Sequence, residues 1–109
     1  MVDLTTSSHP PHLYNWASHT EALALTVVAP MFNEAGGAAG LVAEIAAALS
    51  GVNHEIVIVD DNSEDETVKV LKGIKHQFPQ LRVVQHGRNS GQSRAIRTGV
   101  LAARAPLSR

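Results

Sequence analysis

Apolar positions recur along the chain in two alternating rhythms. Leu23 to Ala29 is a nearly continuous aliphatic and β-branched run closed by Pro30, which cannot extend a central ladder, so it predicts a buried strand. Beyond Asn33 and Glu34, the small residues Gly36, Gly37 and Gly40 lead into Leu41, Val42, Ile45 and Leu49 at helical spacing, predicting an amphipathic helix that ends near Ser50 and Gly51. Glu55 to Val59 predicts a second short strand, stopped by Asp60 and Asp61, residues that disfavour its continuation. Ser63 and Glu66 have capping-box spacing, so a second helix is expected to start there. Its inner face is Val70, Leu71, Ile74 and Phe78, its wet side carries Lys69, Lys72 and Lys75, and Pro79 ends it. Leu81 to Gln85 predicts a third strand, and from Gly91 onward Ile96, Val100 and Ala103 give the apolar face of a third helix.

Strands alternating with helices of this length imply parallel pairing through right-handed crossovers. The expected fold is therefore α/β, β-α-β-α-β-α, with a parallel sheet of at least three strands forming half of a doubly wound, Rossmann-like domain. Residues 23–109 make that one domain, and residues 1–22, rich in Ser, Thr, His and Pro, read as a flexible tail. Aromatics are only 4% of the chain, so the core is expected to be aliphatic. The absence of cysteine excludes disulfides and thiolate metal sites and fits a reducing compartment, with the cytoplasm as the expected location. The longest apolar stretch, near Leu23 to Pro30, falls far short of the ~20 residues of a membrane span. The first twenty residues lack the basic flank and apolar core of an export signal.

Net charge is −1, yet every Asp and Glu lies between Asp3 and Glu66 and every Lys and Arg between Lys69 and Arg109. Such a division can place carboxylates on one side of a cleft and cations on the other, suiting a ligand with both a base and phosphates, or it can reflect helices that differ in surface charge. With no overall positive charge and no interleaved aromatics, nucleic-acid binding is not implied.

Ligands of open α/β sheets bind at the carboxyl ends of the strands, which directs attention to Pro30–Glu34, Asp60–Asp65 and His86–Arg94. Asp60 and Asp61 can accept hydrogen bonds from a nucleobase N–H, a ribose hydroxyl or a metal's water shell, or both can be turn and cap residues. Adjacent side chains of a strand point to opposite faces, so one of the two is expected to meet a ligand and the other to hold the turn. Glu34 sits where it could accept from a sugar hydroxyl, or simply be a solvated loop acid. Gly87, Arg88, Asn89, Ser90 and Gly91 lead into a helix whose free N–H groups, with a guanidinium, make a diphosphate seat, although Gly and Asn before a helix are also common turn chemistry.

Together, Val27-Val28-Ala29-Pro30-Met31-Phe32-Asn33-Glu34, then Val57-Ile58-Val59-Asp60-Asp61-Asn62-Ser63 with Asp65 and Thr67, then Arg88-Asn89-Ser90-Gly91-Gln92-Ser93 with Ala95, resemble glycosyltransferase family 2. The likeness is greatest to the dolichyl- or polyprenyl-phosphate sugar synthases and covers about residues 24 to 106. It implies a three-layer GT-A fold that binds a UDP- or GDP-type nucleotide sugar and transfers the sugar with inversion, using Mg²⁺ or Mn²⁺, to a lipid phosphate at the cytoplasmic membrane face. By that likeness Pro30, Phe32 and Glu34 line the nucleoside pocket, Asp61 meets the base edge, Asp60 supports the turn, and Gly91 and Arg88 lie near the nucleotide. Arg94 departs from the small residue usual at its position.

The resemblance also implies what is absent. The family's next strand carries an Asp-x-Asp motif for the metal and diphosphate, and its catalytic base lies later still, whereas here Ala103-Arg104-Ala105-Pro106 is followed only by Leu107-Ser108-Arg109. The chain therefore reads as a truncated or frame-shifted product with no complete metal site and no catalytic residue. Negligible turnover is expected, and the first strand would present an exposed apolar edge open to self-association.

Other readings compete. Ala35-x-Gly37-x-x-Gly40 approximates the dinucleotide fingerprint before a helix, with Asp60 where a ribose-binding acid belongs, but five residues from Pro30 to Glu34 intervene where a tight turn is needed. A phosphoryl-receiver domain would need an Asp where His86 stands, and no P-loop occurs. His9, His12 and His19 fall in the tail without zinc spacing. A non-catalytic fragment that acts by binding is the remaining alternative.

Overall fold

The computed structural model describes residues 2–3 and 22–106, and the expectation of a tail over 1–22 lies, apart from Val2 and Asp3, outside the described residues. Four strands, β1 (Val2–Asp3), β2 (Leu25–Met31), β3 (His54–Asp60) and β4 (Leu81–Gln85), form one sheet in the order β1-β4-β3-β2. Three helices join them, α1 (Ala38–Ala48), α2 (Thr67–Ile74) and α3 (Gln92–Ala102). β2, β3 and β4 are parallel, as the alternation of elements requires, and β1 adds a short antiparallel pairing to β4.

The register matters most for function. Met31 pairs with Asp60 and Asp60 with Gln85, so the three parallel strands end in one row. The ladder continues one step further, with Asp61 N donating to Met31 O and His86 N donating to Asp60 O, each at 2.9 Å. Phe32, Asp61 and His86 consequently leave the sheet at the same level.

Side chains of β3 alternate between two cores. Ile56 and Ile58 face α1 and α2, packing with Met31, Ala38, Val42, Leu71, Leu81 and Val83. Val57 and Val59 face α3 with Val84 and Ala95. A strand buried on both faces explains the unbroken apolar run Ile56–Val59.

Three sequence expectations are corrected here. The face of α3 that meets the sheet is Ala95 and Gly99, with Ala102 partly packed, while Ile96 and Val100 are more than two-fifths exposed. The reason is distance: a Cβ placed on Gly99 would stand 2.2 Å from Val28 Cγ1 and 3.1 Å from Val59 Cγ2, so branched strand residues already fill the space a bulky helix residue would need. The capping box is absent too, because α2 begins at Thr67 with no side-chain cap from Glu66, and Ser63 is engaged elsewhere. Lys75, assigned to the wet side, donates to Pro79 O at 2.7 Å and Leu81 O at 2.6 Å and so ties the end of the second helical segment to the start of β4.

At the opposite end of the strands lies a polar latch. Glu55, buried in the sheet, accepts from Thr26 Oγ1 at 2.7 Å, Arg82 Nη1 at 3.1 Å and Arg104 N at 2.5 Å. Arg82 also donates to Ala102 O at 2.8 Å, and Ala105 N donates to Thr26 Oγ1 at 3.2 Å, fixing the chain as it leaves α3. Burial pushes the Glu55 carboxyl up, but the donors from Arg104, Thr26 and Arg82 outweigh it and hold the group below its ordinary value.

Candidate functional site at the carboxyl ends of the strands

Loops after β2 and β3 are stitched to each other before any ligand is considered. Asn33, in the left-handed region at φ 52°, donates its backbone N–H to Ser63 Oγ at 2.8 Å and accepts at Oδ1 from Glu64 N at 2.9 Å. Glu34 N donates to Thr67 Oγ1 at 2.8 Å, and Ala35 N to Asp65 Oδ2 at 3.2 Å. Asp65 in turn accepts from the backbone N–H and hydroxyl of Thr67. The Thr67 hydroxyl, with the backbone N–H groups of Thr67, Ala35 and Asp65 itself, holds the exposed Asp65 carboxyl below its ordinary value despite some desolvation.

The paired acids divide their labour. Asp60 is fully buried, and both oxygens turn inward, Oδ1 accepting from Ser63 Oγ at 2.5 Å and Oδ2 from Ser63 N at 2.9 Å. Asp61 faces the other way. Its Oδ1 accepts from Ser90 N and pairs with His86 Nδ1, and its Oδ2 accepts from Gly91 N, all at 2.8 Å. Burial raises the Asp61 pKa, yet the donors from Ser90, His86 and Gly91 more than offset it and leave the carboxyl below its ordinary value. Gly91, at φ 89°, is the residue that lets two successive N–H groups converge on one carboxylate at the start of α3.

A cleft of about 230 Å³ opens above this row, lined by Pro30, Met31, Phe32, Glu34, Asp61 and Gln92. Four of the predicted residues, Pro30, Phe32, Glu34 and Asp61, thus meet in one place. Asp60 lies beneath as a turn support, Gly91 contributes through Asp61, and Arg88 is exposed and outside the lining. Gln92 and Met31 were not picked out from sequence. Neither was the partnership of His86, whose Nε2 lies 2.7 Å from Thr98 Oγ1 while Nδ1 holds Asp61. The only sequence signal was its position directly after the third strand, level with Asp61.

A second opening of about 350 Å³ lies on the α3 side, lined by His86, Ser90, Arg94, Arg97, Thr98 and Leu101. The separation of charge along the chain therefore becomes two neighbouring clefts, one bordered by Glu34 and Asp61 and one by two arginines, with Asp61, His86 and Ser90 between them.

No group of three or more His, Asp or Glu side chains is brought together to hold a metal ion among the described residues. Asp60 spends both oxygens on Ser63, and Asp61 is held by three donors, so neither is free to act as the core of a cation site. The residues present do not fit a divalent metal.

The dinucleotide fingerprint also fails on geometry. Its last glycine serves close packing of helix on strand, but a Cβ on Gly40 would meet nothing within 4 Å.

A parallel sheet flanked by helices on both faces, with a cleft at its carboxyl row, is an α/β unit of the GT-A type. The chain belongs to glycosyl transferase family 2, whose model matches residues 26–107. It is 38% identical over 90 residues to a dodecaprenyl-phosphate galacturonate synthase of Rhizobium johnstonii, covering 80% of this chain and 27% of that protein. It is 33% identical over 75 residues to a dolichol-phosphate mannosyltransferase of Pyrococcus furiosus, covering 69% of this chain and 21% of that protein. Among solved structures, a mannosyltransferase from Pyrobaculum calidifontis in complex with GDP-Man and Mn²⁺ matches with a TM-score of 0.66 and 25% identity, over 77% of this chain and 25% of that one. The chain thus spans about a quarter of the length of these relatives. No described helix is long and apolar enough to cross a membrane.

Proposed function

We propose that this chain is the nucleotide-binding part of an inverting glycosyltransferase that uses a UDP- or GDP-type sugar and, in a longer form, transfers the sugar to a polyprenyl or dolichyl phosphate. The observation that carries the reading is Asp61, a buried carboxylate bordering a cleft whose other walls are Pro30, Phe32, Glu34 and Gln92. A preorganised acceptor beside an accessible aromatic ring suits a nucleobase with an N–H on its edge. Phe32, 42% exposed at the cleft, offers a face on which that base can stack.

The family relationship supports the acceptor class, since both curated relatives above are lipid-phosphate sugar transferases by name. Mg²⁺ or Mn²⁺ belongs to the longer form of the reaction, in keeping with the Mn²⁺ of the mannosyltransferase. Such a protein would work at the cytoplasmic membrane face. β2 is the terminal strand of the described sheet, and its outer edge is the surface through which the chain would self-associate.

Calorimetric titration with UDP, GDP and NADH, with and without Mn²⁺, tests the reading. Metal-independent binding of UDP or GDP that disappears in Asp61→Ala is the expected result. Binding of NADH alone would overturn it.

A further inference from the structure

Resting on the nucleotide-pocket reading, we infer that the cleft selects a base presenting one N–H flanked by carbonyls, the imide edge of uridine, over guanosine, whose edge presents two adjacent N–H donors. The inference comes from counting what the Asp61 carboxylate already holds. Two carboxylate oxygens offer about four acceptor directions in all. Among the described residues three are filled: Oδ1 takes Ser90 N and His86 Nδ1, and Oδ2 takes Gly91 N. One direction, on Oδ2, is left for a ligand.

Guanine recognises a carboxylate through N1–H and the exocyclic amine together, one donor to each oxygen. Oδ1 is saturated by a backbone N–H and a buried ring nitrogen, neither of which can be displaced without unmaking the start of α3 or the His86–Thr98 contact. A purine amine brought to this carboxylate therefore has no acceptor there, and a desolvated donor without a partner weakens binding. Uracil asks for a single acceptor and needs donors for its two carbonyls. Gln92 borders the same cleft, and its side-chain amide makes no hydrogen bond to another described residue, so it is available to donate to a carbonyl beside the imide N–H. Cytosine is excluded for a different reason, because its ring nitrogen at this position is an acceptor and would face a carboxylate.

His86 is the positioning residue in this scheme. It fixes the Asp61 carboxylate by occupying Oδ1 and is itself oriented by Thr98. It touches Asp61 rather than the base, so its effect on the ligand is on which donors can be received.

The test is a metal-free calorimetric series on the chain with UDP, N3-methyl-UDP, CDP, GDP and inosine diphosphate, the last being guanosine diphosphate without its exocyclic amine. The expected result is UDP binding at least about tenfold tighter than GDP or CDP, N3-methyl-UDP losing that advantage, and inosine diphosphate binding more tightly than GDP. GDP binding as tightly as UDP would overturn the selectivity while leaving the nucleotide pocket intact. Silence with every nucleotide would overturn the pocket reading itself, and the selectivity with it.

Discussion

Gly99 lies directly beneath Val28, and a methyl group added to the glycine would stand 2.2 Å from Val28 Cγ1. That single contact fixes how closely α3 lies on the sheet and hence where the first turn of α3, which feeds Gly91 N to Asp61, sits above the strand ends. Gly99→Ala should lower stability by about 1–3 kcal/mol through overpacking, even though alanine is the better helix former by about 1 kcal/mol. Ile96→Ala, on the more exposed side of the same helix, should cost about 1 kcal/mol or less, at ~25 cal/mol per Å² of apolar surface lost from burial. Urea denaturation of the two variants checks the contrast, and equal effects would mean that α3 docks through its bulky residues.

Removing the Asp61 carboxylate strips three donors of their acceptor at once. Asp61→Ala should destabilise by about 1–3 kcal/mol, since the half-buried Ser90 N–H, the Gly91 N–H and the buried His86 ring all lose their acceptor. The variant should still show helix by far-ultraviolet circular dichroism but exchange the Ser90 and Gly91 amides faster in hydrogen–deuterium exchange. Unchanged exchange at those amides would remove Asp61 from its organising role.

The Glu55–Arg82 pair is buried, with Arg82 Nη1 3.1 Å from Glu55 Oε1. Arg82→Ala should cost about 3 kcal/mol, because it leaves a buried carboxylate with fewer donors and also frees Ala102 O, whereas replacing both partners by apolar residues of similar size should recover most of the loss. A double-mutant cycle measured by thermal unfolding distinguishes the two. A double variant as unstable as the sum of its parts would refute the pairing.

Acid should weaken the chain through its two buried carboxylates of lowered pKa, with exposed Asp65 acting in the same direction. Glu55 and Asp61 both have native pKa values below their ordinary ones, so each binds protons less readily when folded than when unfolded. Their contribution is therefore complete above the unfolded carboxylate values of about 4 and is lost as pH falls through the lower native values. Stability measured by denaturant titration should show no loss from these two groups between pH 7 and about 5 and should drop below about 4. Glu55→Gln should flatten that acid limb, and an unchanged limb in this variant would exclude Glu55 as a source.

Asn33→Ala should destabilise by about 1–2 kcal/mol, combining the strain of a non-glycine residue at φ 52° with loss of the Oδ1 contact to Glu64 N. Asn33→Gly isolates the second part, and equal losses in the two variants would show that backbone strain contributes nothing.

Much of this architecture was legible because strands and turns announce themselves locally. The buried run Ile56–Val59 stopping at Asp60, and Leu81–Gln85 ending before Gly87, placed two strand ends to within a residue, whereas the register that aligns them exists only in the folded sheet. Pro30, Phe32, Glu34 and Asp61, which the family resemblance assigns to one pocket, border one cleft because all four lie at the strand ends. The face of α3 was not legible, since apolar bulk is an intrinsic property but the room available under a helix belongs to the strands facing it, here Val28 and Val59. The capping box failed for a related reason: Asp60, three residues earlier, captures the Ser63 hydroxyl that would have served α2. The pairing of His86 with Asp61 was not legible because the two lie 25 residues apart and meet only once two strands stand in register.

The latch around Glu55 also sets an order of assembly. Its closing contacts join Arg104 to Glu55 across 49 positions and Ala105 to Thr26 across 79, the longest separations among the side-chain hydrogen bonds described. Loop closure of that length is entropically costly and is gained only after nearer contacts exist. During synthesis from the amino end, β2 and β3 can pair early, with Ala24 N donating to Asn53 O and Thr26 Oγ1 to Glu55, yet the latch is complete only once residue 105 has emerged. β2, the earliest made of the three parallel strands, thus receives its final contacts last, and it ends the described sheet on the side opposite β1.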